Sequence, residues 1–529
     1  LNTLWNCCGT DFNIGTARGF SQSGYPFIFL QSPDLSFNFH DADSYFMNNS
    51  VAEFMGWRYN DPLQAEMMYT AKKAANASIS LEAYYYYKKA TDGKNINYND
   101  GGLDRYFEAS SSGGFKSSID DPNSTFGGYH GGWTGIPHDM LDLGEFVFAA
   151  DNTVWACDMG KDDYNLKDYF SMKEYVYYRK RPEGENCVVI NPSVDSDTYY
   201  GQKIRAEAKL IKSDLNKSKG AYAVLDLSEA YERDVNQYHR GFYFGDDRNT
   251  YLIQDEISLK KSSELYWFMH TQQNIEILSN NKARLTSADG KSCIVDVYCS
   301  APNFKLSSMP AEPLPSSPQM TGEKDRSSYR KLAIHAENVS GNVTVAVKLS
   351  PETGFYKYTG IDFVPIDSWN VPDGKRAAFP RIKNVYMDGK ALSITESSKE
   401  VRVSLPFGTE KAPDITVETT AGTAQVIQAA SIDDNAFVKI TGEGVIERNI
   451  KIVFSVSADR DLNITENLSD ALPAEGAKGT LIVPKRVWAA TVPELQNPPE
   501  AIIDNDFSTS GTQEGKNKWF EFDLGEVMD

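Results

Sequence analysis

From about residue 126 to residue 372 the chain runs in short segments that alternate apolar and polar residues. Among them are EFVFAADNTVWACD, KIRAEAKLIKSD, GAYAVLDLS, HRGFYFGDDRNTYLIQDEISL, ELYWFMHT, ARLTSADGKSCIVDVYC and NVTVAVKLS. Alternation with a period of two buries one face of a strand and wets the other. The ADN, GDDRN and ADG between the runs are turn chemistry. Strands this numerous and regular predict a large antiparallel β-sandwich. The Pro-rich stretch MPAEPLPSSPQM at 309–320 reads as a long loop inside it.

The flanking regions differ. Residues 1–95 read as helical with irregular inserts. In DPLQAEMMYTAKKAANASISLEAYYYYKK, Asp61 is placed to cap a helix and Pro62 to occupy its first position. Leu63, Met67 and Ala71 then recur at helical spacing. Residues 92–125 are rich in Gly, Ser, Asn and Asp and read as a connection. The sandwich domain is drawn at 96–372. Residues 373–480 carry a second set of strand-like runs with the spacing of an immunoglobulin-like domain. Residues 481–529 begin with a linker, VPELQNPPE. The expected fold class is multidomain and mostly β. No repeat of 20–50 residues and no heptad pattern are present.

Composition bounds the function. The 529 residues suffice for about three or four domains. A formal charge of -20 argues against nucleic acid as a partner, since an acidic surface repels phosphates. An anionic polysaccharide would then need a local basic or metal-bearing pocket. The 29 tyrosines suit sugar faces as well as sheet packing. Six cysteines are too few for a disulfide framework and leave the redox compartment open. No apolar run of about 18 residues predicts a transmembrane segment. The opening LNTLWN lacks the features of a signal peptide, and WFEFDLGEVMD breaks off within a strand pattern. The chain is therefore expected to be a piece of a longer protein.

Candidate chemistry is densest from Phe126 to Glu185. From the residues alone His138, which follows Pro137, reads as a loop hydrogen-bonding residue ahead of a proton-transfer group. His130 either lines a cleft or packs a loop. Tyr169, Tyr175, Tyr177 and Tyr178 alternate with charged residues and by default pack a sheet, but one could donate a proton or stack on sugar, and Tyr175 is taken as the second catalytic candidate. Arg179 and Arg181 are candidates for clamping a substrate carboxylate, the alternative being an ion pair with Glu183 or Asp163. Asp41 and Asp43 read as capping or solvated residues rather than cation ligands.

The stretches GGWTGIPHDMLDLGEF, CDMG and YYRKRPEGENCVVI resemble, in order, the motifs of the heparinase II/III family of polysaccharide lyases. AYERDVNQYHRGFYFGDDRNTYLIQDEI is similar to that family's sandwich, and FNFHDADSYF to the end of its helical toroid. The resemblance spans about residues 10–350. It implies that residues 1–95 are the remnant of an α/α toroid. It also implies β-elimination on a uronate-containing glycan, with His138 in the place of the proton-transferring histidine and facing a groove between helices and sandwich. Asp158 takes the place of a zinc-binding aspartate, Met140 and Glu185 those of the two metal-binding histidines. Asp158 and Glu185 are thus the metal candidates, and they suit calcium, or no metal, better than the zinc of relatives. Asp142 is expected to orient a backbone turn. IIDNDFSTSGTQ with KWFEFDLGE resembles the start of a discoidin-like carbohydrate-binding module. Together these resemblances imply an extracellular or cell-surface location, with the periplasm as an alternative. The rival reading is a noncatalytic carbohydrate-binding or cell-surface scaffold that keeps the lyase fold. A glycoside hydrolase would need paired acidic catalysts, and no motif points to them.

Overall fold

The computed structural model describes residues 7–352 except 172, 194–199, 218–219 and 246–247. It also describes 364–371, 382–392, 400–406, 408–419, 423–441, 448–456, 486–489 and 520–523.

The first part is helical. Helices α1 (Val51–Arg58), α2 (Pro62–Ala74) and α3 (Leu81–Thr91) pack on one another. Asp61 caps α2 by accepting from the Gln64 amide at 3.4 Å, Pro62 follows it, and Met67 is fully buried. The stretch that reads as one helical segment is broken in two. Asn76 adopts a left-handed φ of 48° just past α2, and Ser80 starts α3 by accepting from the Ala83 amide at 3.1 Å. A buried ion pair, Lys72 Nζ to Glu53 Oε1 at 2.7 Å, ties α2 to α1.

The next strands are β1 (Asp104–Phe107), β2 (Ser112–Lys116), β3 (Phe126–His130), β4 (Gly132–Trp133), β5 (Phe146–Ala150), β6 (Thr153–Ala156) and β7 (Val188–Ile190). They continue as β8 (Glu207–Lys217), β9 (Gly220–Asp226), β10 (Val235–Gly245), β11 (Thr250–Leu259), β12 (Ser263–Thr271) and β13 (Asn274–Ser279). The series ends with β14 (Lys282–Thr286), β15 (Ser292–Cys299), β16 (Lys305–Pro310), β17 (Arg330–Val339) and β18 (Asn342–Pro351). Nine strands form one sheet in the order β13-β14-β15-β18-β11-β10-β9-β8-β4. Five form β1-β2-β3-β5-β6 and four form β16-β17-β12-β7. A single core joins all three sheets: Phe115, Tyr129, Phe146 and Trp155, then Phe242, Tyr251 and Val345, then Trp267 and Ile334. The sandwich is mostly β, and its ladders are antiparallel.

β3 and β5 are buried on both faces, so they do not alternate. Gly128 makes this feasible, because a Cβ there would lie 2.8 Å from the Phe37 ring. Within the nine-stranded sheet, Arg240 on β10 is held by its cross-strand partner Asp255 on β11 at 2.6 Å, both side chains fully buried. Arg240 Nη1 donates to the carbonyls of Gly144 and Asn186 at 2.8 Å each, anchoring the loops that carry the candidate site.

The later strands form a three-stranded and a four-stranded sheet over a separate core that includes Val385, Ile415, Val438 and Ile452. Arg486–Ala489 pairs with Phe520–Asp523, but the rest of the discoidin-like stretch lies outside the described residues. All six cysteines are free. Among the described residues no helix is long and apolar enough to cross a membrane.

Candidate active site

Three stretches converge: Phe37–Asp43 after the first turns, the loop from β4 to β5, and the loop from β6 to β7. His138 lies on the second of these with a left-handed φ of 64°, a conformation uncommon outside glycine. Its side chain is 60% exposed. Nδ1 lies 3.2 Å from Oδ2 of Asp41, whose carboxylate is buried. The backbone closes the same contact, the Asp41 amide donating to the His138 carbonyl at 3.0 Å. Asp41 is itself fixed: Oδ1 accepts from the Tyr169 hydroxyl at 2.8 Å, and Lys180 Nζ lies 3.7 Å from Oδ2. With Nδ1–H donated to Asp41, Nε2 is left as a base or acid facing outward. The Tyr164 and Phe170 rings flank His138 at 6.1 and 5.6 Å, and both are exposed.

The other sequence candidates fall elsewhere. Tyr175 is buried, and its hydroxyl donates to Asp139 at 2.8 Å. Burial, then the charge of Asp139, pushes that hydroxyl well above its ordinary range, and it is the burial and the bond to Asp139 that close it to substrate. His130 does not line a cleft. It is buried, stacked on Phe39 at 4.2 Å, and burial lowers its pKa to about 3. Arg179 and Arg181 form no substrate clamp, because both guanidinia are buried and committed to the protein. Arg179 donates to the carbonyls of Met159, Gly160 and Asp325. Arg181 pairs with Glu183 at 3.0 Å and donates to Val176 and, through the Pro-rich loop, to Pro318.

Asp158 and Glu185 do come together, and Glu145 joins them. All three carboxylates are buried, with ligand oxygens within 4.8 Å of one another. Glu145 Oε1, Asp158 Oδ2 and Glu185 Oε2 make no hydrogen bond. Burial raises Asp158 to about 8, with Asp142 adding to it against the Gly160 amide. Burial and mutual repulsion raise Glu145 and Glu185 well above the usual carboxylate range. Such a trio is neutralised either by protons or by a cation. An all-oxygen donor set fits a hard ion such as calcium or magnesium and does not fit zinc. Met140 is wholly buried.

Asp142 orients the backbone as expected, accepting from the His40 amide at 2.7 Å. Burial opposes its charge, but His40 and His130 outweigh that and hold it at about 2. Gly144, at φ 92°, makes the turn that separates Asp142 from Glu145. Sequence reasoning missed Asp41 as the partner of His138, Tyr164 as its neighbour and Glu145 as the third carboxylate. The spacing PHDMLDLGEF did contain Glu145, three residues past Asp142, but no rule of spacing selects it.

No protein-family model matches the chain, and no curated protein matches it. Solved structures similar to it include the heparinase III BT4657 gene product, at 12% identity and a TM-score of 0.43, covering 81% of this chain and 51% of that one. Another is the heparan sulfate lyase HepC from Pedobacter heparinus, at 13% identity and a TM-score of 0.42, covering 80% and 50%. A third, the 4-alpha-glucanotransferase from Thermococcus litoralis, has 8% identity and a TM-score of 0.29. The chain spans about half the length of these three structures.

Proposed function

We propose that this chain carries the sandwich portion of a polysaccharide lyase that cleaves a uronate-containing acidic glycan by β-elimination. The observation that carries the reading is the Asp41–His138 pair, a buried carboxylate orienting an exposed imidazole. In the proposed reaction His138 Nε2 takes the proton at C5. The electron pair forms the C4–C5 double bond, the C4–O bond breaks, and the departing oxygen receives a proton. Tyr164 is suited to supply it. Burial, then the charge of Asp41, raises its hydroxyl to about 12, so it stays protonated. Lys161 lies 4.9 Å from the Tyr164 ring and 3.6 Å from the half-exposed Asp43, a pairing that a uronate carboxylate would compete for. Exposed Trp133, Tyr164 and Phe170 offer flat faces for sugar rings.

Glu145, Asp158 and Glu185 would hold a calcium-class ion, which when bound would stiffen the two loops rather than take part in proton transfer. In the same reading α1 to α3 close an α/α toroid, residues 373–480 form an immunoglobulin-like domain, and residues 481–529 begin a discoidin-like module. The protein would act at the cell surface or outside the cell, or in the periplasm.

The full-length protein that contains this chain, incubated with heparan sulfate, chondroitin sulfate or alginate, is expected to release products with the ultraviolet absorbance of the unsaturated uronate. His138→Ala is expected to lower kcat by about 10²–10⁴-fold with an unchanged circular dichroism spectrum. Undiminished turnover in that variant overturns the role of His138. No product across a broad panel of uronates leaves the noncatalytic scaffold, which the buried Met140 and the imidazole-free trio favour.

A further inference from the structure

A second group of ligating side chains shares no residue with the neighbouring carboxylate trio and serves no step of the proposed reaction. His40, His130 and Asp142 bring two imidazoles and a carboxylate together, with ligand atoms within 4.8 Å of one another. His40 Nδ1 lies 3.2 Å from Asp142 Oδ2, and His130 Nε2 lies 3.7 Å from Asp142 Oδ1. Ligand atoms around a tetrahedral zinc lie about 3.3 Å apart, given zinc–nitrogen bonds of about 2.05 Å.

The hydrogen-bond inventory points the same way. Both ring nitrogens of His130 and Asp142 Oδ1 are buried and make no hydrogen bond, while His40 Nδ1 faces Asp142 Oδ2. Buried polar atoms normally find partners, and here three without one fall in one cluster. Asp142 Oδ2 is already used by the His40 amide, which fixes the carboxylate and leaves Oδ1 open. The rings are held in place. Phe39 stacks on His130 at 4.2 Å, and His40 meets His130 edge-on at 4.6 Å. His40 is 20% exposed at the side chain, while His130 and Asp142 are sealed. The ligand atoms themselves are all sealed, so the exposed part of His40 is the ring edge away from Asp142.

We infer that His40, His130 and Asp142 form a binding site for a zinc-class divalent ion, distinct in donor chemistry from the all-carboxylate cluster beside it. Two nitrogen donors and one oxygen donor suit zinc or cobalt, whereas hard ions prefer oxygen alone. The ion would join three segments: the stretch before the helices, the end of β3 and the loop that leads to β5. It would also restrain Asp41, the residue after His40, and through it the ring of His138. The site stands or falls independently of the lyase reaction.

The test uses the full chain, stripped with a chelator and titrated with Co²⁺ alone. The expected result is one bound ion with the visible absorption of a low-coordinate site containing nitrogen ligands. It is displaced by Zn²⁺ and not by Ca²⁺. His40→Gln and Asp142→Asn are each expected to weaken cobalt binding by more than about tenfold. Glu185→Gln, in the neighbouring trio, is expected to leave the cobalt spectrum unchanged. Zn²⁺ is expected to raise Tm in the parent protein and in Glu185→Gln but not in His40→Gln. If either ligand variant fails to fold, X-ray absorption of the zinc-loaded parent protein decides, with two imidazole ligands expected. An all-oxygen shell, the same cobalt spectrum in His40→Gln, or no cobalt uptake by the parent protein overturns the assignment.

Discussion

His138 depends on Asp41. An exposed imidazole samples many orientations, and the 3.2 Å contact to a buried carboxylate selects one tautomer and one direction. Asp41→Asn keeps the shape but not the charge. It is expected to lower kcat by more than about tenfold while KM changes little, measured as release of unsaturated product. The carboxylate trio makes a different residue-level prediction. Calcium at about 100 times its Kd is expected to stabilise the protein by about 2.7 kcal/mol, read from thermal unfolding. Glu185→Gln is expected to abolish that gain, because it removes a buried ligand oxygen that makes no hydrogen bond. Individual residues were only partly legible. His138, Asp158 and Glu185 sit inside motifs that can be read along the chain. Asp41 lies 97 residues before His138, and only folding brings it there. Tyr175, Arg179 and Arg181 looked like site residues because they share a short segment with real candidates. Their polar atoms instead tie that segment to the rest of the protein, at Asp139, Asp325 and Pro318.

At the scale of elements, the sandwich loops owe their positions to buried charge. Arg240 fixes the carbonyls of Gly144 and Asn186 from the opposite sheet, so the loops bearing Glu145 and Glu185 share one anchor. At the end of β2, Lys116 is fully buried, its ammonium bound to the Gln31 carbonyl. Burial lowers its pKa from 10.5 to about 7. Between those values the unfolded chain holds a proton that the folded one does not. Stability from this group is therefore complete above 10.5 and is lost as pH falls toward 7. Lys116→Met is expected to raise stability at neutral pH by on the order of 1 kcal/mol or more and to flatten that slope. Denaturant titrations at several pH values check both. The alternating strands were legible, because one wet face leaves a period of two. β3 and β5 carry little alternation, since both their faces are covered. The division of the helical stretch turned on Asn76 entering a left-handed conformation, which is a local choice that apolar spacing does not reveal.

At the scale of the whole molecule, among the described residues the sandwich core and the core around Ile452 share no residue. Units with separate cores unfold separately when little apolar surface joins them. Calorimetry is expected to show two transitions. Ile452→Val is expected to weaken the unit that contains it by about 0.5–1.5 kcal/mol and leave the other transition in place. The order of helices before strands was legible from patterning alone. The pairing of nine strands into one sheet was not, because β4 joins β8 and β11 joins β18 across long intervals of chain.

His40 and Asp41 are consecutive, yet their side chains answer to different neighbours, one to Asp142 and the other to His138. A deletion or insertion of a single amino acid just ahead of them would shift both out of register at once. Substitutions nearby can be absorbed one at a time, but a change in length cannot. The count of residues entering this corner is thus a stricter constraint than their identity.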